Sequence, residues 1–317
     1  MATHTLLPTR ETLHGHWSRD LAPVLTVDPG DTVHFATLEA MWCVERRPRR
    51  WPWKQLQPRN PRLDDGHALT GPVAIRGAKP GQTLEVRIGE IIPDDWAWTF
   101  SAPDARRAAE LGLVGQAAFA QFWVVDPVRM VATDPKGRSV RLRPFMGVMG
   151  VAPAEEGIHS TTPPRVWGGN IDCKELIAGT TLYLPIGVEG ALFSCGDGHG
   201  LQGDGEVCGT AIECPMTRVE LTFDVIDRPL KAPRAKTGEG WLTFGFDPDL
   251  NRASTMALSN MLDVIEELHG VDRSEALAIA SLAVDLRITQ VVNQSQGVHA
   301  VLREGAISVL DGVAGPL

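Results

Sequence analysis

Arg218-Val219-Glu220-Leu221-Thr222-Phe223-Asp224-Val225 reads as a β-strand with one dry face and one wet face. Successive side chains of extended backbone point to opposite sides, so Val219, Leu221, Phe223 and Val225 share one face, and Arg218, Glu220, Thr222 and Asp224 share the other. Leu84, Val86 and Ile88 alternate in the same way with Thr83, Glu85 and Arg87. A period of two over this length specifies a sheet that buries one face against a core, and the fold turns on that reading.

Outward from these strands the same grammar recurs. Pro29-Gly30-Asp31-Thr32-Val33, Pro80-Gly81-Gln82-Thr83-Leu84 and Ala178-Gly179-Thr180-Thr181-Leu182 each place a glycine turn before a β-rich run. Further strands are expected near 31–38, 69–76, 122–132, 181–188 and 239–246, and Pro and Gly break them at short intervals. That rhythm predicts a mainly β (α+β) protein, sandwich-like or barrel-like, with a few helices. No strand leads through a Gly-rich turn into a helix, so a dinucleotide-binding unit is disfavoured.

The helices fall late in the chain. Leu258, Met261, Leu262, Ile265 and Leu268 keep helical spacing up to a Gly270 stop. Asp272 and Glu275 then have capping-box spacing before a run from Ala276 to Val292 that is apolar on nearly every face, which predicts a second, buried helix. A short helix is expected at 104–113. The segment 44–66 reads as a basic, proline-rich loop carrying Arg46, Arg47, Arg49, Arg50, Trp51, Trp53 and Lys54, solvated or in contact with another subunit. No clear linker appears, so one domain is open; the break at Asp227–Pro233 suggests otherwise a β-rich region 1–228 and a mixed region 229–317 with two helices packed on it.

Composition narrows the class. Of 317 residues, 43% are hydrophobic and 22% charged, as in ordinary globular proteins, and 30 basic against 39 acidic residues give a net charge of −9. No basic face is interleaved with aromatics, so nucleic acid is not an expected partner. The start of the chain lacks a basic and apolar leader, and no run of apolar residues is long enough to span a bilayer, so a cytoplasmic location away from membranes is expected. Cys43, Cys173, Cys195, Cys208 and Cys214 include no CxxC pair, and they read as reduced, mostly buried thiols.

The chemistry concentrates in Gly196-Asp197-Gly198-His199-Gly200-Leu201-Gln202-Gly203-Asp204-Gly205-Glu206, which runs on through Gly209-Thr210-Ala211-Ile212-Glu213. In Asp197-Gly198-His199 and Asp204-Gly205-Glu206, side chains two apart share one side of extended backbone, so each pair can aim at one point. An imidazole among carboxylates suits a divalent ion, Zn²⁺ preferred and Ca²⁺ possible, with water in an open position; a structural glycine turn is the competing reading. Asn170 and Asp172 in Gly168-Gly169-Asn170-Ile171-Asp172-Cys173-Lys174 add a carboxamide and a third carboxylate. Glu206 is the first choice for carrying a proton from water to a leaving nitrogen, and Glu213 is second because its apolar neighbours would raise its pKa. His16 and His67 are placed beside the same cleft, and Glu39 ends a strand near it. The remaining histidines, His299 among them, have no partner at ligand spacing.

These residues closely resemble the acetamidase/formamidase family. The resemblance also covers Thr70-Gly71-Pro72-Val73, Gly77-Ala78-Lys79-Pro80-Gly81, Ser160-Thr161-Thr162-Pro163-Pro164-Arg165, Thr181-Leu182-Tyr183-Leu184-Pro185, Arg287-Ile288-Thr289-Gln290-Val291-Val292 and Gly297-Val298-His299-Ala300, and so nearly the whole chain. It implies hydrolysis of a short amide of the formamide or acetamide type to a carboxylate and ammonia, by a β-rich homo-oligomer, a dimer or higher, associated with a divalent metal. Carried over by motif, it places Asp172, Asp197, His199, Asp204 and Glu206 around the site, with Asn170 and Gln202 orienting the substrate; joined to the reading of the residues themselves, this gives a metal site at His199, Asp197 and Asp172, catalysis by Glu206, Asp204 and Glu213, and substrate contacts from Asn170, Gln202, Glu39 and His67. Glu39-Ala40-Met41-Trp42-Cys43 and the Trp/Arg loop depart from the family pattern, which leaves a bulkier amide or lactam as a rival substrate. A non-catalytic small-ligand or metal-binding protein on the same scaffold is the rival outside enzymes.

Overall fold

The computed structural model describes residues 1–47 and 52–308. Two large sheets face each other. In the first, nine strands hydrogen-bond in the order Thr3–Leu6, Thr32–Thr37, Met216–Ile226, Thr83–Pro93, Thr181–Pro185, Arg234–Lys236, Gly240–Asp247, Gln296–Arg303 and Val284–Gln290. In the second, six strands run Gly168–Asn170, Phe145–Gly150, Phe193–His199, Leu69–Ile75 and Leu13–His14, with Leu25–Val27 lying parallel to Leu69–Ile75. A four-stranded antiparallel sheet, Ser139–Arg141, Val131–Thr133, Phe119–Asp126 and Trp96–Ser101, completes the mixed α+β architecture.

The alternating strands supply the core between the large sheets. Val219, Leu221 and Phe223 are fully buried beside Leu84 and Val86. Phe35 and Phe223 of the nine-stranded sheet meet Phe193 of the six-stranded sheet, with ring centroids 6.2 and 5.0 Å away and edge-to-face tilts. That geometry suits the quadrupoles of the rings and fixes the sheets face to face.

The helix Leu250–His269 covers one end of the nine-stranded sheet, packing on Gly240–Asp247 and Gln296–Arg303 around Ala253, Ala257, Met261 and Ile265. Asp249 caps its start, and Gly270 ends it at φ 66°, a left-handed conformation that glycine adopts without strain. Asp272 caps the next helix, Arg273–Ala283, by accepting from the N–H groups of Ser274 and Glu275. Asp104 caps the short helix Ala105–Glu110. Among the described residues no helix is long and apolar enough to cross a membrane.

Two expectations need correction, and the sheet bears on where the chain divides. The run from Ala276 to Val292 is not one buried helix: the helix stops at Ala283, and Val284–Gln290 is an edge strand paired with Gln296–Arg303. Apolar residues appear on every face there because two element types with different periods are joined, and Leu282, 90% exposed, is not in a core. The strand expected at 122–132 is two strands, Phe119–Asp126 and Val131–Thr133, because Asp126 accepts from the N–H groups of Val128 and Arg129 and turns the chain. The division at 228 falls inside a continuous sheet, since Thr181–Pro185 pairs with Arg234–Lys236. In the 44–66 segment Arg46 and Arg47 pair with Asp95, and Trp53 is buried against Trp98; Arg49, Arg50 and Trp51 lie outside the described residues.

Candidate active site

Phe145–Gly150 and Phe193–His199 are antiparallel neighbours buried on both faces. Met146 pairs with Gly198 and Val148 with Gly196, which sets Gly147 and Asp197 between the same two rungs. Asp197 leaves the extended conformation at φ 58°, and its carboxylate Oδ2 reaches to 3.4 Å from Nε2 of His199, the last residue of the strand. Glu213 Oε2 is 3.3 Å from the same Nε2.

Gly147 makes this convergence possible. A Cβ there would lie 2.8 Å from Asp172 Oδ1, 2.8 Å from His199 Cε1 and 2.9 Å from Asp197 Oδ2, so Asp172, His199 and Asp197 crowd one point that no larger residue leaves free. Asp172 arrives from the loop after Gly168–Asn170, at φ 53°. Glu206 arrives from the glycine-rich loop at φ 45°, and the carboxamide nitrogen of Asn293 donates to both acids, at 2.7 Å to Asp172 Oδ2 and 3.3 Å to Glu206 Oε2.

The ring orientation of His199 is fixed from behind. Gln202 donates through Nε2 to the backbone carbonyl of Asp172 at 2.8 Å, so its Oε1 faces His199 Nδ1 at 2.9 Å and accepts from it. Phe145 stands edge-on to the ring, with centroids 5.1 Å apart. Nε2 is left toward the acids and has no hydrogen-bond partner; nor have Asp172 Oδ1, Asp197 Oδ1 and Glu213 Oε2.

Four buried carboxylates around one imidazole form an electrostatic problem with a recognisable solution. Burial raises the pKa of Asp172, Glu206 and Glu213, and the neighbouring acids raise it further. Burial acts on Asp197 in the same direction, but His199 and His67 overcome it and hold Asp197 below the usual carboxylate range. For His199 burial opposes the charged form, yet Glu213 and Asp197 raise its pKa well above the ordinary histidine value. The site therefore demands positive charge at Nε2. Asp172, His199 and Glu206 bring ligand atoms within 4.8 Å of one another, and so do Asp197, His199 and Glu213. The orphaned oxygens and nitrogen fit a cation bound among them.

The other residues named from the sequence take different places. Asp204 is not in this cluster; its carboxylate pairs with Lys174 Nζ at 2.7 Å, because Gly205 at φ 95° and Glu206 at φ 45° turn the chain and undo the same-side rule of extended backbone. Asn170 donates to the Thr162 carbonyl at 2.9 Å and leaves its own Oδ1 without a partner. Glu39 is fully buried, bound by the Cys43 N–H and Trp98 Nε1, and burial pushes its pKa up to about 7. His67 is held by Thr161 at 2.8 Å and turns Nε2 toward Asp197 at 3.9 Å. His16 is tied to the Leu63 carbonyl at 2.8 Å. Gly147 and Asn293 were not legible in advance: each is a single small or polar residue whose role depends on contacts far along the chain.

Comparison with known proteins converges on one family. The Acetamidase/Formamidase family model matches residues 2–161 and 154–239. Curated relatives include a formamidase of Methylophilus methylotrophus, 27% identical over 63% of this chain and 61% of that protein, and an acetamidase of Mycolicibacterium smegmatis, 29% identical over 63% of each. The match thus spans a little over three fifths of their length. Among solved structures, an acetamidase from Bacillus halodurans is similar with a TM-score of 0.82 at 26% identity, covering 94% of this chain and 97% of that one. With the sandwich, the glycine-rich loop and the buried acid cluster in place, this chain belongs to the Acetamidase/Formamidase family.

Proposed function

We propose that this protein hydrolyses a carboxamide to a carboxylate and ammonia, at the cluster of Asp172, Asp197, His199, Glu206 and Glu213. The observation that carries the reading is the fully buried Nε2 of His199, without a hydrogen-bond partner, beside Asp172, Asp197 and Glu213, each of which keeps one carboxylate oxygen without a partner. His199, Asp197 and Asp172 would hold a divalent ion, Zn²⁺ ahead of Ca²⁺ because of the imidazole donor. When bound, such an ion polarises a carbonyl oxygen and lowers the pKa of water.

The chain's own residues supply the rest. Asn170 Oδ1, buried and unpaired, accepts from the N–H of the substrate amide. Glu206 takes a proton from the attacking water as its oxygen bonds to the amide carbon, and returns that proton to nitrogen as the C–N bond breaks and ammonia leaves. Its raised pKa suits a group that must both accept and release a proton near neutrality. Glu213 is the second candidate for this role. Gln202, with both ends of its carboxamide engaged, orients His199, and Asp204, paired with Lys174, takes no part in proton transfer.

An apolar cavity of about 390 Å³ favours a second reading of the substrate. Met41, Trp53, Trp98, Phe100 and Phe122 line it. The Trp98 backbone exchanges hydrogen bonds with Glu213, and its indole donates to Glu39. An amide with a bulky apolar group would fit this space better than formamide. Ammonia release from formamide, acetamide and an aromatic amide, measured beside metal content, tests both readings. Turnover lost in Glu206→Gln with metal retained supports the mechanism; no ammonia from any amide with the metal-loaded wild type leaves the binding-protein reading standing.

A further inference from the structure

A second buried donor cluster uses none of the residues assigned to amide hydrolysis. Cys173 and Glu175 lie on the loop that follows Gly168–Asn170, and His299 is in the middle of Gln296–Arg303. All three are buried, Cys173 and His299 completely. Cys173 Sγ is 3.2 Å from Glu175 Oε2, and His299 Nε2 is 3.6 Å from the same oxygen. The three ligand atoms lie within 4.8 Å of one another.

The surroundings leave these atoms facing inward. Thr289 Oγ1 engages His299 Nδ1 at 2.8 Å, so Nε2 is the nitrogen turned to the cluster, and it has no hydrogen-bond partner. Glu175 divides its charge: Oε1 is met by Arg287 at 3.3 Å and Lys174 at 3.9 Å, which leaves Oε2 to the sulfur and the ring. A hydrogen-bonded triad alone would strand a fully buried ring nitrogen. Tetrahedral zinc places sulfur and oxygen ligands about 3.5 Å apart, and nitrogen and oxygen ligands about 3.3 Å apart. The observed separations, 3.2 and 3.6 Å, lie within about 0.3 Å of these.

We propose that Cys173, Glu175 and His299 form a separate zinc site, selective for thiophilic divalent ions over Ca²⁺. Binding converts the Cys173 thiol to a thiolate and releases its proton to solvent, and the charges of thiolate and carboxylate then balance the ion. Because Cys173 follows Asp172 directly in the chain, the ion would pin the Asp172 loop to the strand carrying His299. The site thereby differs in chemistry from the acid cluster at His199, which contains no sulfur.

That difference supplies the test. Chelator-stripped protein is refilled with Co²⁺, and the near-ultraviolet thiolate-to-cobalt charge-transfer band is recorded. The band is expected in the wild type, unchanged in His199→Ala and absent in Cys173→Ala, which should also bind about one zinc fewer. No band in cobalt-saturated wild type overturns the site, whatever the folding of the variants. A band that persists in Cys173→Ala overturns it as well, since another cysteine would then be the ligand.

Discussion

Nδ1 of His199 lies 2.9 Å from Oε1 of Gln202, and this contact settles which end of the imidazole meets the acids. The Gln202 amide nitrogen is committed to the Asp172 carbonyl, so a single side chain aligns the ring and braces the loop of a neighbouring acid. Gln202→Leu is expected to weaken divalent metal binding by about 10–100-fold, as loss of an outer partner of a ligating histidine does. Competition against a chromophoric chelator measures this; unchanged affinity removes Gln202 from the site.

Gly147→Ala probes the crowding at the centre. The new Cβ would sit 2.8 Å from both Asp172 Oδ1 and His199 Cε1, so these side chains would have to leave the positions in which Asn293 and Gln202 hold them. Overpacking of this kind costs about 1–3 kcal/mol of stability, read as a shift of the urea midpoint. Turnover should fall further, by about a hundredfold, because displaced acids lose alignment.

Asn293 bridges two acids that repel each other. Asn293→Leu keeps the volume and removes the donor shared by Asp172 and Glu206. A hydrogen bond to a charged partner contributes about 1.5–3 kcal/mol, so kcat/KM for the best amide is expected to drop by about 10–100-fold. Kinetics identical to wild type would show that the two acids do not need the bridge.

His14 gives the protein a pH dependence of its own, away from the acid cluster. It is buried between Ser194 Oγ at 2.9 Å and the His16 carbonyl at 2.7 Å. Burial lowers its pKa from 6.5 to about 4, against the pull of the His16 hydrogen bond. Between those values the unfolded chain binds a proton that the folded protein refuses, so stability rises with pH through the window. The contribution is complete above pH 6.5 and is lost as pH falls toward 4, by about 3 kcal/mol at most. Urea midpoints from pH 4 to 7 should show a slope that flattens in His14→Gln.

Much of the sandwich could be read from the chain because Val219, Leu221 and Phe223 alternate strictly with polar neighbours, and one buried face forces that pattern. Val284–Gln290 escaped because Leu286 and Ile288 lie half exposed on an edge strand, so their period of two merges with the helical run before it. Asp197 and His199 were legible as a pair, whereas Asp204 and Glu206 were not. A left-handed turn at Gly205 and Glu206 sends one carboxylate to the cluster and the other to Lys174, and no spacing rule for extended chain contains that turn. Asn293 reaches Asp172 across 121 residues, a pairing only tertiary structure creates.

Asp172, Asp197 and Glu206 all hold backbone angles that side chains other than glycine rarely adopt, at φ 53°, 58° and 45°. Each such residue costs about 1–3 kcal/mol. Glycine at position 206 would relieve both the torsion and the repulsion, so Glu206→Gly is expected to melt at a higher temperature than the wild type while releasing no ammonia. Directed evolution for heat resistance alone would therefore erode these three positions first, and only selection for turnover keeps their acids in place.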